Sequence, residues 1–399
     1  MLVCERVGDY YRQFGWYRRR IQALVPLKGG QGLFLYTKND EVNEMLEIKE
    51  TKQTEEILPQ DSMKAAIDKL VKKEELSPQL TKTIMHQIMS GQASPVQIAS
   101  YLTAMRMKGE TAGEISASAE VMRDFSNKVR TKKTALDIVG TGGDQSFTFN
   151  ISTVSSFVIA AAGIPVAKHG NRSSSSKCGS ADVLEELGVN IEASAQRSEA
   201  MLEEIGMCFM YAQKYHPSMK HAAPVRKEMG VRTIFNVLGP LANPANANMQ
   251  LLGVYDVALV DTMAEVLNQL QMERALVFGG NDGLDEITLT TTSEVAELRD
   301  GKVTHFKFDP KDYGFEYCTN EDLVGGEPAE NAAIALAILS GEKGPKRDTV
   351  LLNAGMAIYL ANDDYTIADG IKCAAELIDS GAALGKLKQF ITASQEATK

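Results

Sequence analysis

The sequence predicts an α/β protein in which a small helical domain precedes a larger domain built on a central, mainly parallel sheet. Three observations carry that reading. Between residues 63 and 130, apolar side chains recur at helical spacing behind proline-led helix starts. At Ala135 the period changes to the short buried-strand pattern Ala135-Leu136-Asp137-Ile138-Val139, which ends in a glycine-rich loop. From there strand, polar loop, helix and strand follow in order. That is the βαβ pattern, which pairs strands in parallel and gathers loops at their carboxyl ends.

Length and composition set the frame. The 399 residues suffice for two domains with a large core. Apolar residues make up 44% and charged residues 24%, ordinary for a soluble globular protein. The net charge of -10 argues against a general role on nucleic acid or an anionic membrane, because both need clustered positive charge. Cys4, Cys178, Cys208, Cys318 and Cys373 are scattered, form no CxxC pair, and read as reduced thiols. No apolar run reaches a membrane-spanning length, and the amino terminus lacks the apolar stretch of a signal peptide. A cytoplasmic protein is expected.

Residues 1–62 differ from the rest. Up to Thr37 there are six Lys/Arg against two acids, interleaved with Tyr10, Tyr11, Phe14, Trp16 and Tyr17; from Lys38 to Ser62 the balance reverses. Basic-aromatic interleaving can bind single strands, but the expectation here is a poorly structured extension, or sequence upstream of a start at Met63. Ser62-Met63-Lys64-Ala65 reads as a helix start.

The helical domain is expected over 63–130. Ser77-Pro78 and Ser94-Pro95 each set an N-cap before a first-turn proline, and Gly91 and Gly109 sit where helices end. Ile84 and Ile88, Leu102 and Met105, and Ala119 and Met122 mark the buried faces. The α/β domain is expected over 131–399, with strands at 135–139, 164–167, Met207–Tyr211, Leu251–Val254, Ala275–Phe278 and Val350–Leu352, and helices between them.

Five segments carry candidate chemistry. Gly140-Thr141-Gly142-Gly143-Asp144 follows the first strand, where glycines let backbone N–H groups approach phosphate oxygens. Alone it reads equally as a tight turn. Asn150, Ser152 and Thr153 open the next helix, a natural anion site or a simple cap. Lys168-His169-Gly170-Asn171-Arg172, then Ser173 to Ser176, Lys177 and Ser180, place cations and hydroxyls between a buried strand and an amphipathic helix, which suits a diphosphate. His216 to Arg226 adds an arginine able to grip a carboxylate with two hydrogen bonds. Asp285-Glu286, two adjacent carboxylates on a loop, suit Mg²⁺, although an isolated pair is usually solvated surface.

Taken in order, these segments resemble the anthranilate phosphoribosyltransferase family of tryptophan biosynthesis. The carriers are GTGGD at 140–144, NIST at 150–153, KHGNRSSSSKCGSADVLE at 168–185, HPSMKHAAPVR at 216–226 and NVLGPLANP at 236–244. The resemblance runs from Met63 nearly to the C-terminus. It implies a fold shared with pyrimidine nucleoside phosphorylases, with the helical domain hinged to the α/β domain and completed by a contribution from about 222–246. It also implies a homodimer formed through the helical domain.

The resemblance further implies that phosphoribosyl diphosphate (PRPP) is surrounded by Gly140, Gly143, Asp144, Thr148, Asn150, Ile151, Ser152, Thr153, Lys168, His169, Gly170, Asn171, Arg172, Ser173, Ser174, Ser175, Ser176 and Ser180. Gly140, Asn171 and Arg226 would face anthranilate, with His216 and Pro240 lining its approach. Ser152, Asp285 and Glu286 would hold Mg²⁺, as two ions. An aromatic amine is neutral at pH 7, so catalysis would rest on positioning and electrostatics, with no general acid or base. A pyrimidine nucleoside phosphorylase is the competing enzyme, and the 216–226 segment argues against it. A nonenzymatic nucleic-acid-binding relative is the competing class, and the acidic charge with the Asp285-Glu286 pair argues against that.

Overall fold

A computed structural model describes residues 21–26, 33–37, 61–144, 146–173 and 176–396. The chain divides into two units, residues 1–58 and 59–399. In the first, β1 (Ile21–Pro26) pairs antiparallel with β2 (Leu33–Thr37). The pattern did not predict this pairing, although apolar and aromatic runs flank Gly29, Gly30 and Gly32, a hairpin signal. The remainder of the expected extension lies outside the described residues.

The second unit opens with four helices: α1 (Ser62–Val71), α2 (Pro78–Met89), α3 (Pro95–Lys108) and α4 (Ala112–Asp124). Their starts follow from capping chemistry. The Ser77 and Ser94 hydroxyls accept from Leu80 N and Gln97 N, each ahead of a first-turn proline, and Thr111 with Glu114 forms a capping box. Gly109 ends α3 at φ 89°. The apolar faces meet at Ile84, Ile88, Leu102, Met105, Ala119 and Met122, all buried. Fully buried Glu114 pairs with Lys108 at 2.7 Å and accepts from the backbone of Leu76 and Thr111, so its charge is compensated.

The sheet begins with β3 (Leu136–Gly140), then α5 (Ile151–Ala161) and β4 (Val166–Gly170). After α6 (Ser180–Glu186) and α7 (Ala195–Ile205) comes β5 (Met207–Tyr211). Short helices α8 (Ala212–Tyr215), α9 (Ala223–Met229) and α10 (Phe235–Leu241) lead to β6 (Met249–Gly253). The chain continues through α11 (Val260–Gln269), β7 (Arg274–Gly280), β8 (Ser293–Arg299) and β9 (Lys302–Phe308). It closes with α12 (Asn320–Leu323), α13 (Pro328–Leu339), α14 (Pro345–Ala361), α15 (Ile367–Asp379) and α16 (Ala382–Gln395). Helix α9 packs on α3 and α10 on α4, joining the 222–246 segment to the bundle.

The strand order is β5-β4-β3-β6-β7-β8-β9, with β5 to β7 parallel and the last two antiparallel. The chain builds outward from β3 on one side and returns to start the other side at β6. That reversal is a topological switch point, where the loops after adjacent strands diverge and leave a crevice. Helices α5 and α14 pack together on the sheet, with Phe157, Val158 and Ile159 wholly buried. Each such side chain contributes about 1.5–3 kcal/mol.

Two strand expectations need correction. Val350–Leu352 is helical, inside α14. That helix is buried on almost every side from Thr349 to Ile358, so its apolar run lacks the 3.6-residue alternation that marks a helix. The antiparallel pair β8 and β9 was not predicted, yet Asp300-Gly301 turns between them with φ 52° and 72°. Both positive values define the hairpin turn that this dipeptide favours. Strand β4 also runs to Gly170, so Lys168 and His169 belong to the sheet where a loop was expected.

Register places Gly140 beside Gly253 at the carboxyl ends of β3 and β6. A Cβ on Gly253 would lie 1.7 Å from the Asp285 carbonyl oxygen, and one on Gly140 would lie 2.3 Å from the Asp285 carboxylate. Gly253→Ala therefore displaces the Asp285 segment. We expect it to lower stability by about 2–3 kcal/mol, read as a shifted urea midpoint at constant slope. An unchanged midpoint would show that the segment moves aside freely.

Candidate active site

The loop after β3 turns at Gly142 and Gly143, with φ 70° and 79°, a left-handed backbone that suits glycine. Thr141 N donates to Gly253 O at 2.9 Å, holding the loop over the end of β6. Gly142 N donates to the Asp285 carboxylate at 2.6 Å. The segment after β7 thus returns across the switch point and lays Asp285-Glu286 against the glycine loop.

Helix α5 meets this loop at its first turn. Asn150 is the N-cap residue, but its side chain does not cap; it donates to Cys178 O at 3.1 Å and accepts from Asn331 at 3.0 Å. Ser152 N donates to Glu286 at 3.2 Å, and Ser152 Oγ accepts from Lys168 Nζ at 3.2 Å. Lys168 is buried on β4 and also donates to Ile138 O. Thr153 Oγ1 is buried and meets no partner among the described residues. The helix start therefore holds polar groups aimed at one another and at the crevice, where simple capping would have turned them to the backbone.

The charges of this cluster are in tension. Burial, followed by the neighbouring charge of Asp144, raises the Asp285 carboxyl well above the usual range. Burial and the Asp285 charge do the same to Glu286, with Lys168 opposing. Burial pulls Lys168 down against the attraction of Asp137 and Glu286. Asp137, wholly buried on β3, accepts from His169 N at 3.2 Å and Asn243 Nδ2 at 2.8 Å, and burial lifts it to about 6. Crowded carboxylates of this kind fit a divalent cation, which would relieve their repulsion. No group of three or more His, Cys, Asp and Glu ligands converges among the described residues.

Each expected PRPP-side residue that is described lines one cavity of about 300 Å³, together with Asp285 and Glu286. Ser174 and Ser175 lie outside the described residues. Arg172 sits at the rim with Nη1 on Asp182 and Glu185, each at 2.8 Å, so its terminal nitrogens already have partners; all three side chains are partly exposed, and such pairs are weak. Phe147, Cys178 and Gly179 also line the cavity and were not predicted, because nothing in their residue types signals a ligand.

A second cavity of about 430 Å³ adjoins the first, and His169 and Asn171 line both. Met122, Phe235, His216 and Arg226 complete much of its wall. Burial lowers His169 to about 3, helped by His216, and His216 to about 4, so both rings are neutral at pH 7. Their centroids are 5.0 Å apart at 57°. Arg226 lies 5.1 Å over the Phe235 ring, and no hydrogen bond or ion pair engages its guanidinium among the described residues. Two expected residues do not line this cavity. Gly140 lines only the first, and Pro240 is buried within α10, its carbonyl accepting from Gln250; the preceding turn position, Gly239, faces the space instead.

Residues 64–126 match the helical bundle domain of a glycosyl transferase family, and 132–384 match its a/b domain. Anthranilate phosphoribosyltransferase from Ruminiclostridium cellulolyticum is 56% identical over 82% of this chain and 96% of its own. The chain belongs to the anthranilate phosphoribosyltransferase family. Among solved structures, the family's Thermus thermophilus enzyme is 41% identical, with a TM-score of 0.79 over 83% of this chain and 99% of its own. The Saccharomyces cerevisiae member, in complex with PRPP and Mg, is 28% identical, with a TM-score of 0.78 over 84% and 99%.

The raised carboxylates carry a sign. A group whose folded pKa lies above its unfolded value adds stability at low pH and loses it as pH rises through the folded value. Asp285→Asn keeps an oxygen for Gly142 N while removing the charge that faces Asp144 and Glu286. Without metal, we expect this variant to melt a few degrees higher than the parent at about pH 8, with the gap closing toward about pH 5. A lower melting temperature at pH 8 would contradict the repulsion.

Proposed function

We propose that this chain transfers the 5-phosphoribosyl group of PRPP to the amine of anthranilate, giving N-(5-phosphoribosyl)anthranilate and diphosphate in tryptophan biosynthesis. One observation carries the reading beyond family membership. Half-buried Arg226, with no hydrogen bond or ion pair to its guanidinium among the described residues, stands in an aromatic-lined cavity that shares a wall with a cavity of hydroxyls, glycine loop and carboxylates. The first suits a flat aromatic acid and the second a phosphorylated sugar.

In this account the glycine loop, Ser152, Thr153 and the 168–180 segment bind PRPP. Ser152, Asp285 and Glu286 hold Mg²⁺, proposed as two ions, which would neutralise charge on the diphosphate when bound. Arg226 grips the anthranilate carboxylate by charge-assisted hydrogen bonds. Neutral His169 and His216 line its ring without adding a charge to be desolvated, and Asn171 stands between the two substrates.

The bond from the anomeric carbon to diphosphate breaks, its electron pair leaving with diphosphate, and the amine nitrogen supplies the pair for the new C–N bond. The nitrogen then releases a proton to water. Because the amine is neutral and nucleophilic at pH 7, the residues' work is to align it with the anomeric carbon and to exclude water.

Two further readings complete the proposal. A homodimer through the helical domain is supported by exposed Val71, Val96 and Met107 on α1 and α3. A cytoplasmic location is supported by Cys178, Cys208, Cys318 and Cys373, all free thiols. No helix of the described residues is long and apolar enough to cross a membrane.

Mixing the protein with PRPP, Mg²⁺ and anthranilate tests the reaction through loss of anthranilate fluorescence, with diphosphate released in equal amount. Unchanged fluorescence and no diphosphate would overturn it. Arg226→Ala should raise the anthranilate KM roughly 10- to 100-fold, as loss of a charged hydrogen bond implies, with a much smaller change for PRPP. Equal effects on both substrates would remove Arg226 from its assigned role.

A further inference from the structure

Arg232 links the helical bundle to the glycine loop without lining either cavity. It follows Gly230, which ends α9 at φ 64°, and precedes α10, so it lies just after the segment that carries Arg226. Its carbonyl accepts from Arg106 Nη1 of α3 at 2.9 Å. Its own Nη2 donates to Gly143 O in the glycine loop. Its guanidinium lies 3.8 Å over the Tyr255 ring, just past the end of β6. No carboxylate forms an ion pair with it among the described residues.

The position of Arg232 relative to the loop decides what it does. Gly143 and Asp144 line the 300 Å³ cavity on one side and a separate space of about 420 Å³ on the other, and Arg232 and Tyr255 line only the latter. Arg232 therefore stands behind the loop, which separates it from the substrate side. Gly142 and Gly143 give the loop its left-handed turn, but they offer no side chains to fix it, and glycine has the most conformational freedom to lose. Two further braces add to the bonds from Thr141 N to Gly253 O and from Gly142 N to Asp285. Tyr255 N donates to Thr141 Oγ1 at 3.2 Å, and Arg232 holds Gly143 O. Tyr255 joins the braces, since its backbone grips one end of the loop and its ring supports the guanidinium that grips the other.

We propose that Arg232, supported by the Tyr255 ring, is a positioning residue that sets the Gly140–Asp144 loop for PRPP. It acts through the loop backbone and does not touch substrate. The inference rests on the phosphoribosyl transfer proposed above. Arginine is required because a planar guanidinium can stack on a ring and direct an N–H sideways at a carbonyl, which the point charge of lysine does not reproduce.

Steady-state kinetics on Arg232→Gln, Arg232→Lys, Tyr255→Phe and Tyr255→Leu, with calorimetric titration of PRPP in Mg²⁺, test this. Arg232→Gln should raise the PRPP KM and Kd about tenfold, the loss of one hydrogen bond to a charged donor, and leave the anthranilate KM within about twofold. Arg232→Lys should recover less than half of the loss on a logarithmic scale. Tyr255→Phe keeps the ring and should match the parent, whereas Tyr255→Leu should weaken PRPP. The Arg232→Gln/Tyr255→Leu double variant should be no weaker than the worse single, as residues acting as one unit require.

An unchanged PRPP KM and Kd in Arg232→Gln, with the parent active, would overturn the proposal and leave the reaction standing. So would equal rises for both substrates, or full recovery by lysine. A parent that consumes no anthranilate would instead remove the functional reading on which the proposal rests.

Discussion

The approach of Asp285 to two adjacent glycines is the contact on which the site depends. Gly140 and Gly253 end neighbouring strands in register, and neither carries a Cβ, so the segment after β7 lies directly across the sheet edge. That one approach joins three otherwise separate features. It sets Asp285 on Gly142 N and Glu286 on Ser152 N, and it turns the crevice of the switch point into a cavity with a charged wall. The parallel sheet provides the crevice, and the missing side chains allow it to be furnished.

The same contact puts like charges together. Asp144, Asp285 and Glu286 crowd beside the glycine loop, and buried Lys168 and Asp137 continue the network into the sheet. An apolar arrangement there would fold more stably, because buried charges favour folding only when fully compensated. The compensation missing in the protein alone is what a divalent cation would bring, with diphosphate oxygens completing its shell. A cation bound there would return the stability that the repulsion holds back. The neighbouring cavity has the opposite character, with neutral imidazoles, Met122 and the Arg226 guanidinium over the Phe235 ring. The two halves of contrasting character share His169 and Asn171 as a common wall.

Much of this was legible in the residues, for reasons that differ by element. The proline-led helices were readable because Ser77-Pro78 and Ser94-Pro95 act within a single turn. The parallel core was readable from apolar runs that end in polar loops. Val350–Leu352 misled because a helix buried on all sides carries no period, and the β8–β9 pair was missed although Asp300-Gly301 announced its turn. At the site, the segment motifs named most of the residues that line the first cavity, since hydroxyls, glycines and acids keep their chemistry wherever they are placed. The braces were hidden. Nothing about Arg232 or Tyr255 in sequence says that they meet behind residue 143, because that contact links segments about 90 and 110 residues away through the fold. Pro240 failed for a smaller reason: within a helix, its neighbour Gly239 takes the inward direction.

On this reading the carboxylates and the glycine loop form one site that cation and diphosphate complete together. Calorimetric titration of the protein with PRPP, in Mg²⁺ and in chelator, tests it most directly. The account predicts tight binding of PRPP with Mg²⁺, at least ten times weaker binding without it, and weak binding of Mg²⁺ alone. Equal PRPP affinity in chelator would contradict it, because Asp285 and Glu286 would then have no part in holding the substrate.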